Sequence, residues 1–426
     1  MIRDRASRRR FLKSAAALSL PTFIPRHVLA GDGQPGANDR IAVGAIGVGN
    51  RAKLLLEQLP ADATIVALCD CNVPRAEAFK AAKGGKWPVY QDYRQLLERR
   101  DIDAVIVGTG EFQRVLPCIH ACQAGKDVYA EKPLTLYVSE GRALVNAVRR
   151  HGRVLQVGSQ QRSMAINRLG CDFVRSGGLG KLLEVRAVNY SGPLAKPRAP
   201  VPVQTVPAGL DWNMWLNQAA ARPFNSQWMS WMWWRDFSGG QMTNWGAHGV
   251  DQIQWALGMD ESGPGEMWPI SSGPNGQVAM RYASGIEVHF VLERGPMGGA
   301  VFVGEKGKLE INRNKLTSNP PELAAQLLKQ VDVDAEERKW SDQVALWQAR
   351  SHLQNWLDCI RTRQRPVADV EIGHRSISVC HLANITREAG RRLKWDPAAE
   401  RFLGDAEANA LLTRARRPGF ELPELA

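Results

Sequence analysis

No apolar run in the 426 residues is long enough to cross a bilayer. The small apolar stretch at residues 14–20 falls well short of the roughly 20 residues a span requires, so no membrane span is expected. The 7 cysteines are odd in number, and their spacing forms neither a disulfide framework nor a Cys-x-x-Cys metal site. Cys69 and Cys71 fall on one expected strand and Cys118 and Cys122 at helical i, i+4 spacing, which reads as buried thiols. No internal repeat is present, which excludes a solenoid. Basic residues form no stripe either. Half of the formal +12 charge comes from Arg3, Arg5, Arg8, Arg9, Arg10, Lys13 and Arg26, opposed in residues 1–30 by Asp4 alone. The rest of the chain is only mildly basic, and no nucleic-acid partner is expected.

That basic cluster has an order of its own. Ser-Arg-Arg-Arg-Phe-Leu-Lys at residues 7–13 is followed by the small apolar stretch and by Val-Leu-Ala at residues 28–30, the pattern of a twin-arginine export signal. A basic disordered tail would explain neither the Phe-Leu-Lys nor the small-residue end. Residues 1–30 are therefore set apart as a leader, and a periplasmic location is expected. Export of an already folded chain also fits free thiols, since folding then occurs in the reducing cytoplasm.

The most informative stretch is residues 40–51, Arg-Ile-Ala-Val-Gly-Ala-Ile-Gly-Val-Gly-Asn-Arg. An apolar strand breaks into Gly47 and Gly49 where a helix can begin at Asn50 and Arg51, the arrangement that grips a dinucleotide pyrophosphate. Gly47 allows the turn, Gly49 admits the phosphates, and Ala52 lets the helix pack on the strand. A second apolar run at residues 65–69 ends in Asp70, where a ribose 2′-hydroxyl would lie. Asp70 favours NAD, because its carboxylate repels a 2′-phosphate; Arg75 leaves room for NADP. The alternative is an ordinary βαβ unit with a glycine turn.

Residues 39–157 alternate short apolar segments (41–46, 65–68, 104–107, 127–130, 154–157) with helical patterns, which predicts an α/β unit with a doubly wound parallel sheet. From about residue 182 the pattern becomes β-rich, with segments at 183–190, 278–282, 286–292, 300–303 and 308–311. An α+β domain with an open, mostly antiparallel sheet is expected over residues 158–340. Residues 312–339 read as polar and irregular. Helical patterns at 343–363 and 373–391 are expected to pack back on the core, and residues 396–426 read as a tail.

Glu131-Lys132-Pro133 follows the strand at 127–130 directly. Proline ends the strand and presents Lys132 at the carboxyl edge of the sheet, where open α/β folds bind ligands. A lysine there can hydrogen-bond a reacting oxygen, with its pKa lowered by burial and nearby positive charge.

The chain resembles the glucose-fructose oxidoreductase and inositol dehydrogenase family, Gfo/Idh/MocA, over about residues 39–395. The resemblance rests on Gly47-Val-Gly49-Asn-Arg, Ala124-Gly-Lys-Asp-Val-Tyr-Ala-Glu-Lys-Pro133 and Gln156-Val-Gly-Ser-Gln-Gln-Arg162. It continues through Trp234-Arg-Asp-Phe-Ser-Gly-Gly240, Asn244-Trp-Gly-Ala-His-Gly-Val-Asp251 and Glu371-Ile-Gly-His-Arg375. It implies an N-terminal Rossmann sheet, a second sheet-bearing domain, and an NAD(P)-dependent oxidoreductase acting on a sugar or polyol. The glycine turn and Asp70 would hold the adenosine half, and Thr109, Glu131 and Lys132 would border the nicotinamide. Trp234 and Arg235 match a pair that closes over the cofactor in relatives. Oligomerisation through the open face of the second sheet is also implied.

Two departures stand out. Relatives usually carry Asp-x-x-x-His, in which histidine is acid or base for the substrate hydroxyl; here Asn244 precedes His248. Asparagine can orient an imidazole but cannot favour imidazolium, so His248 is expected to be a weaker base. If residues 244–251 are helical, Asn244, His248 and Asp251 share a face. A helix-capping role for His248 is the structural alternative, and His248 with Asp251 lacks a third metal ligand. In the second departure, Thr109-Gly-Glu-Phe-Gln-Arg114 replaces the usual Thr-Pro-Asp-x-x-His.

Gln160, Gln161, Arg162, Tyr190 and Asp251 are candidate substrate-pocket groups by their place in the pattern. Six of the 14 tryptophans lie between Trp212 and Trp234, suited either to stacking on a sugar ring or to filling a core or subunit contact. Outside the cytoplasmic membrane nicotinamide is not freely supplied, so the cofactor is expected to be held tightly. Three readings follow: hydride transfer to or from a sugar, polyol or glycoside; redox-neutral glycoside cleavage through a keto-sugar; or sugar and nucleotide binding without turnover.

Overall fold

Short runs of β-branched and small residues make six parallel strands: β1 (Ile41–Ile46), β2 (Ala63–Cys69), β3 (Val89–Tyr90), β4 (Ala104–Val107), β5 (Asp127–Ala130) and β6 (Leu155–Val157), ordered β3-β2-β1-β4-β5-β6. β4 and β5 are buried at every position, as a parallel sheet covered on both faces requires. The covering helices include α1 (Asn50–Glu57), α2 (Val73–Ala82), α3 (Tyr93–Leu97), α4 (Glu111–Gln123) and α5 (Val138–Arg150). The strand order reverses between β1 and β4, which opens a ligand crevice at the carboxyl ends of the strands. β3 was not expected: two half-buried edge residues carry no periodicity. Cys71 lies beyond the end of β2, not on it.

This is a computed structural model that describes residues 36, 39–195, 197, 200–332 and 349–423. The leader expected at residues 1–30 lies outside them. The chain divides into two units, Met1–Arg40 and Ile41–Ala426, and both sheets lie in the second. Among the described residues no helix is long and apolar enough to cross a membrane, and all 7 cysteines are free.

The second sheet has nine strands in the order β13-β12-β11-β7-β10-β9-β8-β14-β15. They are β7 (Leu182–Val188), β8 (Glu266–Pro269), β9 (Val278–Arg281), β10 (Glu287–Leu292), β11 (Ala300–Gly304), β12 (Gly307–Ile311), β13 (Leu316–Asn319), β14 (Leu393–Asp396) and β15 (Arg401–Phe402). Pairing is antiparallel except between β7 and β10. Val185 and Ala187 face inward while Glu184 and Arg186 face out. The inner face packs on α6 (Ala165–Arg175) and on α9 (Gly246–Ala256), which follows two shorter helices, α7 (Trp212–Leu216) and α8 (Gln241–Asn244).

Residues 312–339 are not simply irregular. Their described part forms the edge strand β13 and then α10 (Pro321–Leu328), with proline in its first turn and Ala324 and Leu327 buried. A four-residue edge strand has no apolar run to betray it. The expected helices are α11 (Arg350–Thr362) and α12 (Val370–Ala389); residues 343–348 lie outside the described residues. α12 packs against both α5 and α9 and so joins the two sheets. Nor are residues 396–426 a plain tail: Trp395 meets Phe402 at 4.9 Å across β14 and β15, and α13 (Ala406–Ala410) follows.

Beneath the second sheet the Arg162 guanidinium is 2% exposed and donates to Asp251 at 2.9 Å and to Asp260 at 2.7 Å. Ser376 also donates to Asp251, at 2.8 Å. Such a set stabilises little net, but removing one partner strands the others in low dielectric. Arg162→Met is expected to destabilise the fold by roughly 3–5 kcal/mol. Denaturant unfolding checks this, and unchanged stability would show that the set is not structural.

Candidate active site

A cleft of about 490 Å³ runs between the carboxyl edge of the first sheet and the helices under the second. Gly47, Gly49, Asn50, Arg51, Asp70, Thr109, Glu131, Lys132, Gln160, Asn244 and His248 all line it. Gly47 has φ +81°, and a Cβ there would come within 2.8 Å of Thr109, so the turn admits only glycine. Gly49 caps α1 with no side-chain hydrogen bond, and a Cβ on it would meet nothing within 4 Å. Gly47, Gly49, Asn50 and Arg51 line the cleft, so the uncapped start of α1 opens onto it, the arrangement that receives a pyrophosphate. Asp70 accepts from Val48 N at 2.8 Å and Asn72 N at 2.9 Å, while Arg75 stands 3.6 Å from it.

The middle of the cleft is a buried charge cluster. Glu131 accepts from Arg51 Nε at 2.9 Å, Gln160 Nε2 at 2.9 Å and the Lys132 backbone N at 3.0 Å. Burial pushes its carboxyl up, but Arg51 and then Lys132 outweigh that and hold it below its ordinary value. Lys132 Nζ donates to both the backbone O and Oδ1 of Asn244, each at 3.0 Å. Burial lowers the Lys132 amine to about 8, opposed by Glu131 and assisted by Arg51, Arg313 and Arg114. Arg114, in place of the usual histidine, is buried and donates to the carbonyls of Pro133 and Thr109. It ties α4 to the loop that carries Lys132.

His248 lies on α9 just past an irregularity at Trp245, and burial holds its imidazole well below 6.5, aided by Lys132, Arg313 and Arg51. The ring is therefore neutral at physiological pH. Asn244 does not orient it. The asparagine oxygen holds Lys132, and its Nδ2 donates to Gln241 Oε1 at 3.1 Å, so the departure from aspartate acts on the lysine.

Several expected site residues are elsewhere. Arg162 and Asp251 are committed to each other in the buried set, and Asp251 turns away from the cleft that Asn244 and His248 share. Tyr190 donates its hydroxyl to Met297 O at 2.7 Å, and Gln161 accepts from Asn167 behind the cleft wall. Gln160 lines the cleft but is engaged with Glu131 and Tyr129. Trp234 packs on Trp228 at 5.6 Å and Arg235 pairs with Glu388 at 2.6 Å, outside the cleft. The aromatic excursion presents Trp231 instead, along with Met214, Trp215, Met229 and Met232. Half of the tryptophan cluster is core: Trp215, Trp228 and Trp234 are buried with Phe112 and Phe237, while Trp233 is exposed. Arg313, on the β12–β13 turn, also lines the cleft and carried no motif to reveal it.

Two family models match the chain. "Oxidoreductase family, NAD-binding Rossmann fold" covers residues 41–159 and "Oxidoreductase family, C-terminal alpha/beta domain" covers residues 173–422. The chain belongs to the Gfo/Idh/MocA oxidoreductase family. Among curated relatives it is similar to an inositol 2-dehydrogenase of Klebsiella pneumoniae, 32% identical over 27% of this chain and 35% of that one. A 1,5-anhydro-D-fructose reductase of Ensifer adhaerens is 29% identical over 29% of this chain and 36% of that one. The match thus spans about a third of these relatives' length. In fold it is similar to the Bordetella pertussis WlbA dehydrogenase solved with NADH and UDP-GlcNAcA (TM-score 0.59, 19% identity, 84% of this chain and 99% of that one). It is also similar to a Lactobacillus casei scyllo-inositol dehydrogenase solved with NAD(H) and scyllo-inositol (TM-score 0.55, 18% identity, 83% and 99%).

As a Gfo/Idh/MocA protein the chain has NAD as its cofactor, and the open α1 cradle fits the pyrophosphate on its own geometry. Asn244→Asp would set a carboxylate where the amide oxygen now lies 3.0 Å from Lys132 Nζ. It should raise the Lys132 pKa from about 8 by roughly 1 pH unit or more. The pH profile of hydride transfer checks this, and an unmoved profile would show that Lys132 does not govern it.

Proposed function

We propose that this chain oxidises a hydroxyl of a sugar or polyol, or reduces the matching carbonyl, with Lys132 exchanging the hydroxyl proton. The observation that carries this reading is the half-buried Lys132 amine, lowered to about 8 and fixed by Asn244 at the edge where the glycine turn opens. A proton carrier works best with a pKa near the operating pH. His248, neutral and held far lower, fits a hydrogen-bonding ring that orients the hydroxyl better than a group that stores its proton. A nicotinamide cofactor held at the glycine turn would supply the hydride acceptor in its oxidised form and the hydride donor in its reduced form. In the oxidising direction the O–H proton passes to neutral Lys132; in the reducing direction the Lys132 ammonium returns it to the new alkoxide.

The leader pattern supports export, and export favours a retained cofactor. The excursion that follows β7 supports the same reading. Val73 N donates to Gly209 O at 3.0 Å, Asp211 N to Cys71 O at 2.8 Å and Gln113 Nε2 to Trp215 O at 2.5 Å, which ties the excursion to the first sheet across the cleft mouth. A captive cofactor must pass each hydride on, which favours exchange between two sugars or redox-neutral cleavage of a glycoside. Denaturing the purified protein should release NAD. An aglycone freed from an aryl glycoside without net reduction would select cleavage, and paired oxidised and reduced sugars would select exchange.

Lys132→Ala should keep its nucleotide and lose at least about 100-fold in turnover. For the wild type, oxidation should rise with pH to a plateau above about 8, as Lys132 loses its proton, while reduction should fall over the same range. Full activity of Lys132→Ala, or the same pH dependence in both directions, contradicts the assignment.

A further inference from the structure

The glycine turn, Lys132 and His248 leave Glu111 without a part to play. It is the first residue of α4, wholly buried, and among the described residues its Oε2 has no hydrogen-bond partner. Its Oε1 accepts from Gly239 N at 2.8 Å, and the Thr243 hydroxyl lies 3.4 Å from the same oxygen. Burial pushes the carboxyl up to about 7, opposed by Ser238, Gly239, Arg114 and Thr243. The Cys380 thiol of α12 is close enough to feel its charge. One carboxyl oxygen accepts from a backbone N–H whether or not the other carries the proton, so the hold on Gly239 persists through the titration.

What Glu111 holds is the entry to α8. Gly239 N is taken by Glu111, and Gly239 O by Asn384 Nδ2 of α12 at 2.8 Å. Gly240 follows at φ +74°, where a Cβ would come within 2.5 Å of the Gly192 backbone, so the peptide is pressed against a third segment. Asn244 N then donates to Gly240 O at 3.0 Å and closes the single turn of α8. Such a turn does not hold itself, because one hydrogen bond fails to offset the dihedrals it fixes. Its last residue is Asn244, whose backbone O and Oδ1 each receive Lys132 Nζ at 3.0 Å. Three residues along α4, Arg114 donates to Pro133 O and Thr109 O and so ties down the loop on which Lys132 stands. Positions i and i+3 are neighbours on a helix, so one turn of α4 grips both partners of the Lys132–Asn244 contact.

We propose that Glu111 is a positioning residue for the acid–base step: by holding Gly239 it sets Asn244, and with it the two acceptors on which Lys132 Nζ rests. The proposal rests on the dehydrogenase reading above and adds a residue to it. Both acceptors favour the ammonium, so losing them lowers the affinity of the amine for its proton. A positioned group that drifts by about 1 Å costs about 100-fold in rate. The groups that bear on Lys132 are Glu131, Arg51, Arg313 and Arg114, with the His248 imidazole beside them. None of these is altered by a substitution at Glu111, so a moved Lys132 midpoint reports on Asn244.

The test uses the full chain as purified. Trace acetylation by acetic anhydride over a series of pH values, read by peptide mass spectrometry, gives the midpoint of the Lys132 amine without any turnover. Nicotinamide absorbance follows hydride transfer from myo-inositol, scyllo-inositol, D-glucose and D-galactose, and denaturant unfolding reports stability. Glu111→Met fills the same space without an acceptor. It should lower the Lys132 midpoint from about 8 by about 1 pH unit. It should also cut kcat by about 100-fold with KM little changed. Glu111→Gln keeps an acceptor for Gly239 N and should restore both. Glu111→Asp, one methylene shorter, draws the acceptor back and should fall between; it decides the matter if Glu111→Met does not fold. An unmoved or raised midpoint in the folded variant overturns the proposal, whatever its stability, and so does a Glu111→Gln midpoint displaced as far as that of Glu111→Met. Wild-type turnover in Glu111→Met would sink the positioning role and leave the dehydrogenase reading intact. The expected midpoints in a chain that moves no hydride to or from any sugar, polyol or matching ketone would uphold the positioning role and sink that reading.

Discussion

Burial of one carboxylate, Glu131, among Arg51, Lys132 and Arg114 is the constraint on which the cleft depends. Like charges about 4 Å apart repel by about 4 kcal/mol at the effective dielectric of a protein site, so cations gathered without a counter-ion would push α1, α4 and the Lys132 loop apart. Glu131 meets the need from the strand end itself. Its position at the carboxyl edge places the counter-charge where β5 hands over to the Lys132 loop, and Gln160 from beyond β6 holds the same oxygen. Strand order, loop anchoring and charge balance are thereby met by one side chain.

The asparagine at 244 takes its meaning from that balance. An aspartate there would be a second carboxylate on Lys132 and would hold the amine charged. With an amide the lysine keeps two good acceptors but gains no counter-charge, and burial then brings its proton affinity close to neutrality. The same shortage of negative charge leaves the imidazole of His248 neutral. A change that seems to weaken one acid–base group thus tunes another.

The tryptophan-rich excursion does a different job from either sheet. Trp212 stacks on Trp215 at 4.6 Å, and Phe112 and Phe237 pack edge-on around them, so a segment with little regular structure gains a core of its own. That core rests on α4 of the first sheet while the segment starts and ends beside the second. The segment's Trp231, Met229 and Met232 give the cleft an apolar lining, which lowers the dielectric around the charge cluster and strengthens the interactions within it.

The residues themselves determined the first sheet and the cofactor side of the site. Alternating apolar strands and helices, the Gly47 turn, Asp70 and the Lys132 loop are local patterns, because each is produced by neighbours a few residues apart. Short edge elements such as β3, β13 and β15 escaped notice, since two to four residues carry too little periodicity to separate strand from loop. Tertiary structure alone decided which polar groups face the cleft. Arg162 and Asp251 have the residue types of a binding site yet are buried against each other from 89 positions apart, and Trp234 packs on Trp228, while Arg313 and Trp231 reach the cleft from short irregular segments that carry no motif. Charge, donors and aromatic faces are written in the chain; whether they meet a ligand or each other depends on long-range packing, which no spacing along the chain encodes.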